Sequence, residues 1–180
     1  LVLAVVIFEI QFLNPYKFRS QTALGKKIDL SLDIGAVTFD EFYQTRHGDN
    51  MVGFGADGKS CVKISLKHDP RKKMNLSDEA GVIEFLATRS CVTSPSSITK
   101  GTLSEKKKKM IVQHLGCPED IEGAYFILPR YTTGVSAVLG DIILAVIEQK
   151  RLGVFHADIK PNNVGMTASH AVLFDYDQAE

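Results

Sequence analysis

The stretch VFHADIKPNNVGM, Val154 to Met166, constrains this chain more than any other. From His156 to Asn163 it sets a His, an Asp, a Lys, a Pro and two Asn between apolar flanks. Ahead of it, SAVLGDIILAVIEQKRLG carries apolar residues at helical period, with Gly153 placed to end the helix. Behind it, AVLFDYD reads as a short strand ending in Asp175 and Asp177. A polar loop thus joins an apolar helix to a strand, and its side chains are reactive ones.

Each of these side chains suits a step of one chemistry. Asp158 can accept a proton from a hydroxyl. Lys160, two residues on, can steady negative charge near the same atom. Asn163 offers a neutral oxygen of the kind Mg²⁺ takes, and Asp175, at a strand end, offers a carboxylate to the same metal. Moving a phosphoryl group needs this set: an oriented hydroxyl, metal-bridged phosphate oxygens and positive charge for the developing anion. A lone Asp in a turn is ordinarily a capping residue; the surrounding constellation changes that reading.

His156-Ala157-Asp158-Ile159-Lys160-Pro161-Asn162-Asn163, followed by Asp175-Tyr176-Asp177, resembles the H-R-D-L-x-x-x-N and D-F-G signatures of the protein kinase superfamily. Lys160-Pro161 is similar to the Ser/Thr protein kinase version. The resemblance implies an α+β, bilobal kinase-like fold: an antiparallel-sheet N-lobe with one helix, then an incomplete helical C-lobe. It implies Asp158 as catalytic base, Lys160 at the transferred phosphate, Asn163 and Asp175 as Mg²⁺ ligands, and His156 as a brace. CVKIS resembles the strand that carries the ATP-phosphate lysine, here Lys63. EAGVIEFL resembles the helix that pairs with it, with Glu79 the partner and Glu84 the fallback. YFILPRY resembles the strand entering the hinge, which puts Leu128 near the gatekeeper position and Pro129, Arg130 and Tyr131 beside the adenine.

GFGADG, Gly53 to Gly58, fits a glycine-loop pattern but lies too close to Lys63 for one more strand and turn to intervene. It reads instead as a hairpin with Asp57-Gly58 at its tip. The phosphate-covering loop then falls earlier, around RHGDN, and carries only Gly48. Two other departures are Ala157 for the usual Arg and Asp177 for the usual Gly, whose loss removes backbone freedom.

Elsewhere, NLSDEAGVIEFLATRS reads as a helix capped by Ser77 or Asp78. SCVTSPSSITKGT reads as loop, and EKKKKMIVQHL opens with a basic run that suits a solvated face or loop. The implied domains are an extension over 1–38, an N-lobe over 39–128 and the start of a C-lobe over 129–180. With 44% hydrophobic and 23% charged residues the chain can bury a core. Its 21 basic residues balance its 21 acidic ones, so charge gives no bias toward nucleic acid or an anionic membrane. Cys61, Cys91 and Cys117 lack metal spacing and suit reduced thiols of a cytoplasmic protein, or of host cytoplasm for a secreted effector or viral protein. The opening LVLAVVIFEIQFL breaks at Glu9, short of the ~20 residues that span a bilayer, and reads as a buried strand. It lacks an initiator Met, which suggests a start inside a longer reading frame or after processing, or the tail of a longer hydrophobic segment.

The expected activity is ATP- and Mg²⁺-dependent phosphoryl transfer to Ser/Thr hydroxyls of a protein substrate. The alternatives are a pseudokinase-like scaffold, or a small-molecule phosphotransferase or nucleotidyltransferase on the same fold.

Overall fold

The computed structural model describes residues 24–67, 74–116, 120–133 and 139–180. The apolar opening run, residues 1–13, and Cys117 lie outside these. Seven strands form one antiparallel sheet: β1 (Leu24–Ile28), β2 (Leu32–Ile34), β3 (Val37–Thr45), β4 (Asn50–Gly55), β5 (Ser60–Ser65), β6 (Thr99–Thr102) and β7 (Ala124–Pro129). They run in the order β1-β3-β4-β5-β7-β6, with β2 also on β3. The sheet starts ahead of the boundary expected at residue 39, because Leu30, Leu32 and Ile34 are buried in its core.

The β4–β5 hairpin turns where the sequence places it. Asp57 Oδ1 accepts from Lys59 N at 2.8 Å and Ser60 N at 2.9 Å, and Gly58 takes φ +67°. Gly53, within the motif that mimics a glycine loop, serves packing: a Cβ there would collide with Phe42 and Val62.

Alternation along β5 decides which residues go where. Val62 and Ile64 join Phe39, Phe42 and Met51 in a core on one face. A register shift between Phe39 and Glu41 lets Phe39 and Phe42 bury on that face although they are three apart. Helix α2 (Glu105–Leu115) covers this face through fully buried Ile111 and the partly buried Met110, Val112 and Leu115. The sequence implied one N-lobe helix; α2 is a second, its apolar stripe masked in the sequence by a lysine run of which Lys106 and Lys109 are exposed and Lys107 and Lys108 half-buried. The segment expected as loop also yields β6, an exposed edge strand without buried alternation.

Lys63 points to the other face, where helix α1 (Leu76–Thr88) packs with Leu76, Glu79, Ala80, Ile83 and Leu86 buried. Its cap is Asn75, in place of the expected Ser77 or Asp78. Asn75 is extended, at ψ 172°, and its Oδ1 accepts from Asp78 N at 2.9 Å. Asp78 and Glu79 instead sit in the first turn, where the helix dipole favours acids.

Helix α3 (Leu139–Arg151) follows and ends at Gly153, φ +84°. The polar loop then enters a 3₁₀ turn at Pro161–Asn163. Strands β8 (Thr132–Thr133), β9 (Val164–Met166) and β10 (Ala171–Leu173) form a second, three-stranded antiparallel sheet. One apolar cluster joins the two halves, running from Leu76, Ile83 and Leu86 of α1 through Phe126 to Ile142, Val164, Leu173 and Tyr176. It holds α1 against the β9–β10 hairpin and so sets the cleft between them.

Candidate active site

The cleft begins at Lys63, which lies opposite Val52 on β4 and Phe126 on β7. Its Nζ donates to Glu79 Oε2 at 2.8 Å and Oε1 at 3.1 Å, and to Asp175 Oδ1 at 2.6 Å. The ammonium thus bridges the sheet, α1 and the segment after β10. Burial alone would lower the Lys63 pKa, but Asp175 and Glu79 more than offset it, and the net shift is upward. Burial pushes the Glu79 carboxyl up to about 7, with Lys63 opposing and Asp175 and Asp177 adding to the rise. Glu84, the fallback partner, lies on the surface with Lys100, 2.6 Å away.

The loop builds a second group. Lys160 Nζ is hydrogen-bonded to Asp158 Oδ2. Asn163 Nδ2 donates to Asp158 O at 2.9 Å and to Oδ2 at 3.1 Å. His156 braces the loop from below. Its Nε2–H donates to Phe174 O at 2.9 Å, its Nδ1 faces Asp158 N at 3.4 Å, and its ring packs on Tyr176 at 4.6 Å between centroids. Burial lowers the His156 pKa, so the ring is held neutral.

Two non-glycine residues here adopt left-handed backbone, Ala157 at φ +60° and Asp175 at φ +67°. Such conformations persist only where the surroundings enforce them, and they gather at functional sites. The left-handed position in the Asp175-Tyr176-Asp177 segment is Asp175. Asp177 is not among the positive-φ residues, so it sits there without needing a glycine's freedom. It is buried, and its carboxylate completes a cluster: Asp158, Asp175 and Asp177 offer oxygens within 4.8 Å of one another.

The remaining residues named from the sequence stand apart. Gly48 lies in the tight β3–β4 turn at φ +70°, its N donating to Thr45 O at 2.9 Å. That turn is stitched shut by Thr45 Oγ1 on Asp49 Oδ1 at 2.7 Å, and Asp49 O receives Leu66 N, beyond the end of β5. Leu128 pairs with Cys61, and the β7 residue beside Lys63 is Phe126, its ring 6.0 Å from Nζ. Arg130 is exposed; its N donates to Lys59 O at 2.7 Å and its guanidinium covers Phe54 at 4.3 Å. Phe126 was not singled out by sequence reasoning, and Tyr176 entered it only as the middle residue of the D-F-G match, with no role of its own. Strand alternation counted from Lys63 finds Phe126 only once the β5–β7 register is known.

The architecture is kinase-like, and solved structures share it. A crystal structure of WbdD superposes with a TM-score of 0.52 at 13% identity, over 87% of this chain and 40% of that one. A WbdD complex with the kinase inhibitor LY294002 gives 0.50 at 14% identity, over 93% of this chain and 43% of that one. A third structure describes WbdD as a bifunctional kinase-methyltransferase, with a TM-score of 0.45. The chain spans about two fifths of the length of the WbdD chains it matches, and the likeness is one of fold. No family model matches the sequence, and no curated protein matches it. No helix among the described residues is long and apolar enough to cross a membrane.

Proposed function

We propose that this cleft is an ATP- and Mg²⁺-dependent phosphotransferase centre acting on Ser/Thr hydroxyls of a protein. The observation that carries the proposal is the convergence of Lys63, Glu79 and Asp175 with Asp158, Lys160 and Asn163 in one cleft. Asp158, Asp175 and Asp177 offer carboxylate oxygens within 4.8 Å of one another, an arrangement that suits a divalent cation. The donors are oxygens, which suit hard Mg²⁺. Asp175 and the Asn163 carbonyl oxygen would hold the ion, and when bound it neutralises charge on the phosphate oxygens.

The residues divide the work. Lys63 would point its ammonium at the nucleotide phosphates, with Glu79 keeping it in place, and Asp175, which lies against the same ammonium, would be a ligand of a bound cation. Asp158 orients the substrate hydroxyl and takes its proton as the oxygen bonds to the γ-phosphorus and the bond to ADP breaks. Lys160 stabilises charge on the phosphoryl group in transit. Lys160-Pro161 supports the Ser/Thr protein substrate, and the WbdD complex with a kinase inhibitor supports a kinase-type nucleotide site.

The test is transfer of the γ-phosphate of ATP to a generic protein substrate, with and without Mg²⁺, followed by mass spectrometry. An added phosphate supports the reading; an added nucleotide moves it to nucleotidyl transfer. The short β3–β4 turn favours one other reading, a nucleotide-binding module without turnover. Nucleotide binding with no modified product under any condition would establish that instead.

A further inference from the structure

Tyr176 heads the largest fully buried side chains among the described residues. Its backbone N donates to Glu79 Oε1 at 3.2 Å, so it touches the partner of Lys63. Its hydroxyl donates to Leu173 O at 3.0 Å and accepts from Gln149 Nε2 at 2.9 Å. Burial raises the phenol pKa, which keeps that hydroxyl a donor. A phenylalanine would fill the same apolar space and make neither bond.

Gln149 is the more telling residue. It is 1% exposed on α3, and its Oε1 has no hydrogen-bond partner. An orphaned buried carbonyl is a cost that an apolar side chain would avoid. The amide nitrogen accounts for its presence: it donates to the Tyr176 hydroxyl and also to Thr93 O at 3.0 Å. Thr93 O in turn receives Leu173 N from β10 at 2.9 Å. Glu148, the neighbour on α3, binds the same segment through Thr93 Oγ1 at 2.6 Å, Thr93 N at 3.1 Å and Val92 N at 3.2 Å. The stretch that follows α1 is therefore tied to α3 and to β10 together. Between Leu173 and Tyr176 lies the strained Asp175, whose left-handed backbone needs such restraint.

We infer that Gln149 is a positioning residue: through the Tyr176 hydroxyl it latches the segment after β10, fixing Asp175 toward Lys63 and keeping the cleft assembled before any ligand binds. The functional consequence rests on the phosphotransferase reading; the latch itself does not.

Hydrogen exchange and Mn²⁺ binding on the full chain test it, with the variants Gln149→Leu, Tyr176→Phe and their double. Loss of one net hydrogen bond corresponds to roughly five- to tenfold. The Tyr176 amide is expected to exchange faster by about that factor, while Val62 and Ile64 keep their rates. Mn²⁺ affinity is expected to fall by a similar factor, and the double variant to lose less than the sum of the two single ones, since they share the Gln149–Tyr176 bond. Unchanged exchange at Tyr176 in a folded variant overturns the latch. If Gln149→Leu does not fold, Tyr176→Phe decides alone, since it removes a single oxygen. If the unaltered chain takes up no Mn²⁺, the phosphotransferase reading fails, and the exchange result still decides the latch.

Discussion

Two charged groups meet in the cleft, and they are built in opposite ways. Asp158, Lys160 and Asn163 come from one short loop, and their contacts span two to five residues. Lys63, Glu79 and Asp175 come from a strand, a helix and a hairpin, with contacts spanning 16 and 112 residues. In the first group the Lys160–Asp158 pair is half-open, with side chains at 44% and 29% exposure, over a buried Asn163. In the second, Lys63 and Glu79 are sunk between packed elements at 12% and 2%, while Asp175 reaches them from the cleft at 33%. Charges in water contribute little to stability, whereas a buried pair is costly to break because the survivor is left unpaired. The loop group should therefore matter to turnover and the buried group to the fold as well.

The sharpest way to break that contrast is to remove one member from each side. Asp158→Asn should lower phosphate transfer by about 10²–10⁴-fold with an unchanged unfolding curve. A variant that transfers phosphate at the original rate sinks the role given to Asp158. Lys63→Met should cost roughly 3–5 kcal/mol in urea unfolding, because Glu79 stays buried without its counter-charge. A loss under ~1 kcal/mol would show that the buried group is no tighter than a surface pair.

Smaller effects refine the comparison. Lys160→Met should change unfolding free energy by no more than about 1 kcal/mol while still slowing turnover, which separates its two roles. Glu84→Gln, on the exposed pair with Lys100, should shift stability by within ~0.5 kcal/mol and leave transfer intact. The pH dependence is the subtlest. Burial holds the His156 pKa below its ordinary value of 6.5, so the unfolded chain binds a proton that the folded chain refuses. Its contribution to stability is therefore present at neutral pH, falls as pH drops below about 6.5, and levels off beneath the folded pKa. Subtracting the pH–stability profile of His156→Asn from that of the unaltered chain should reveal this slope; parallel profiles would mean that the ring is free to charge.

The contrast also explains how much was legible beforehand. The loop group could be read from consecutive residues, because its geometry is local: the 3₁₀ turn brings Asn163 back onto Asp158 within one loop. Only the resemblance favours Glu79 over Glu84; the structure pairs it with Lys63 and buries it with Ala80, Ile83 and Leu86. Helix α2 was not legible, because four lysines obscure an apolar face that exists only against the sheet. Phe126, Tyr176 and Gln149 were not, because their parts depend on register and on contacts between distant segments.

By itself, then, the sequence determined the elements whose signals are local. These are the β4–β5 turn at Asp57-Gly58, the helices on either side of the cleft, and the polar loop. Only the tertiary structure decided that Lys63 meets Glu79 and Asp175 at once, that Gly48 lies in a closed turn beyond β5, and that a buried amide on α3 secures Tyr176. The physical reason is that periodicity and turn chemistry act over a few residues, whereas burial of charge and hydrogen bonding across a core depend on which segments the packing brings together.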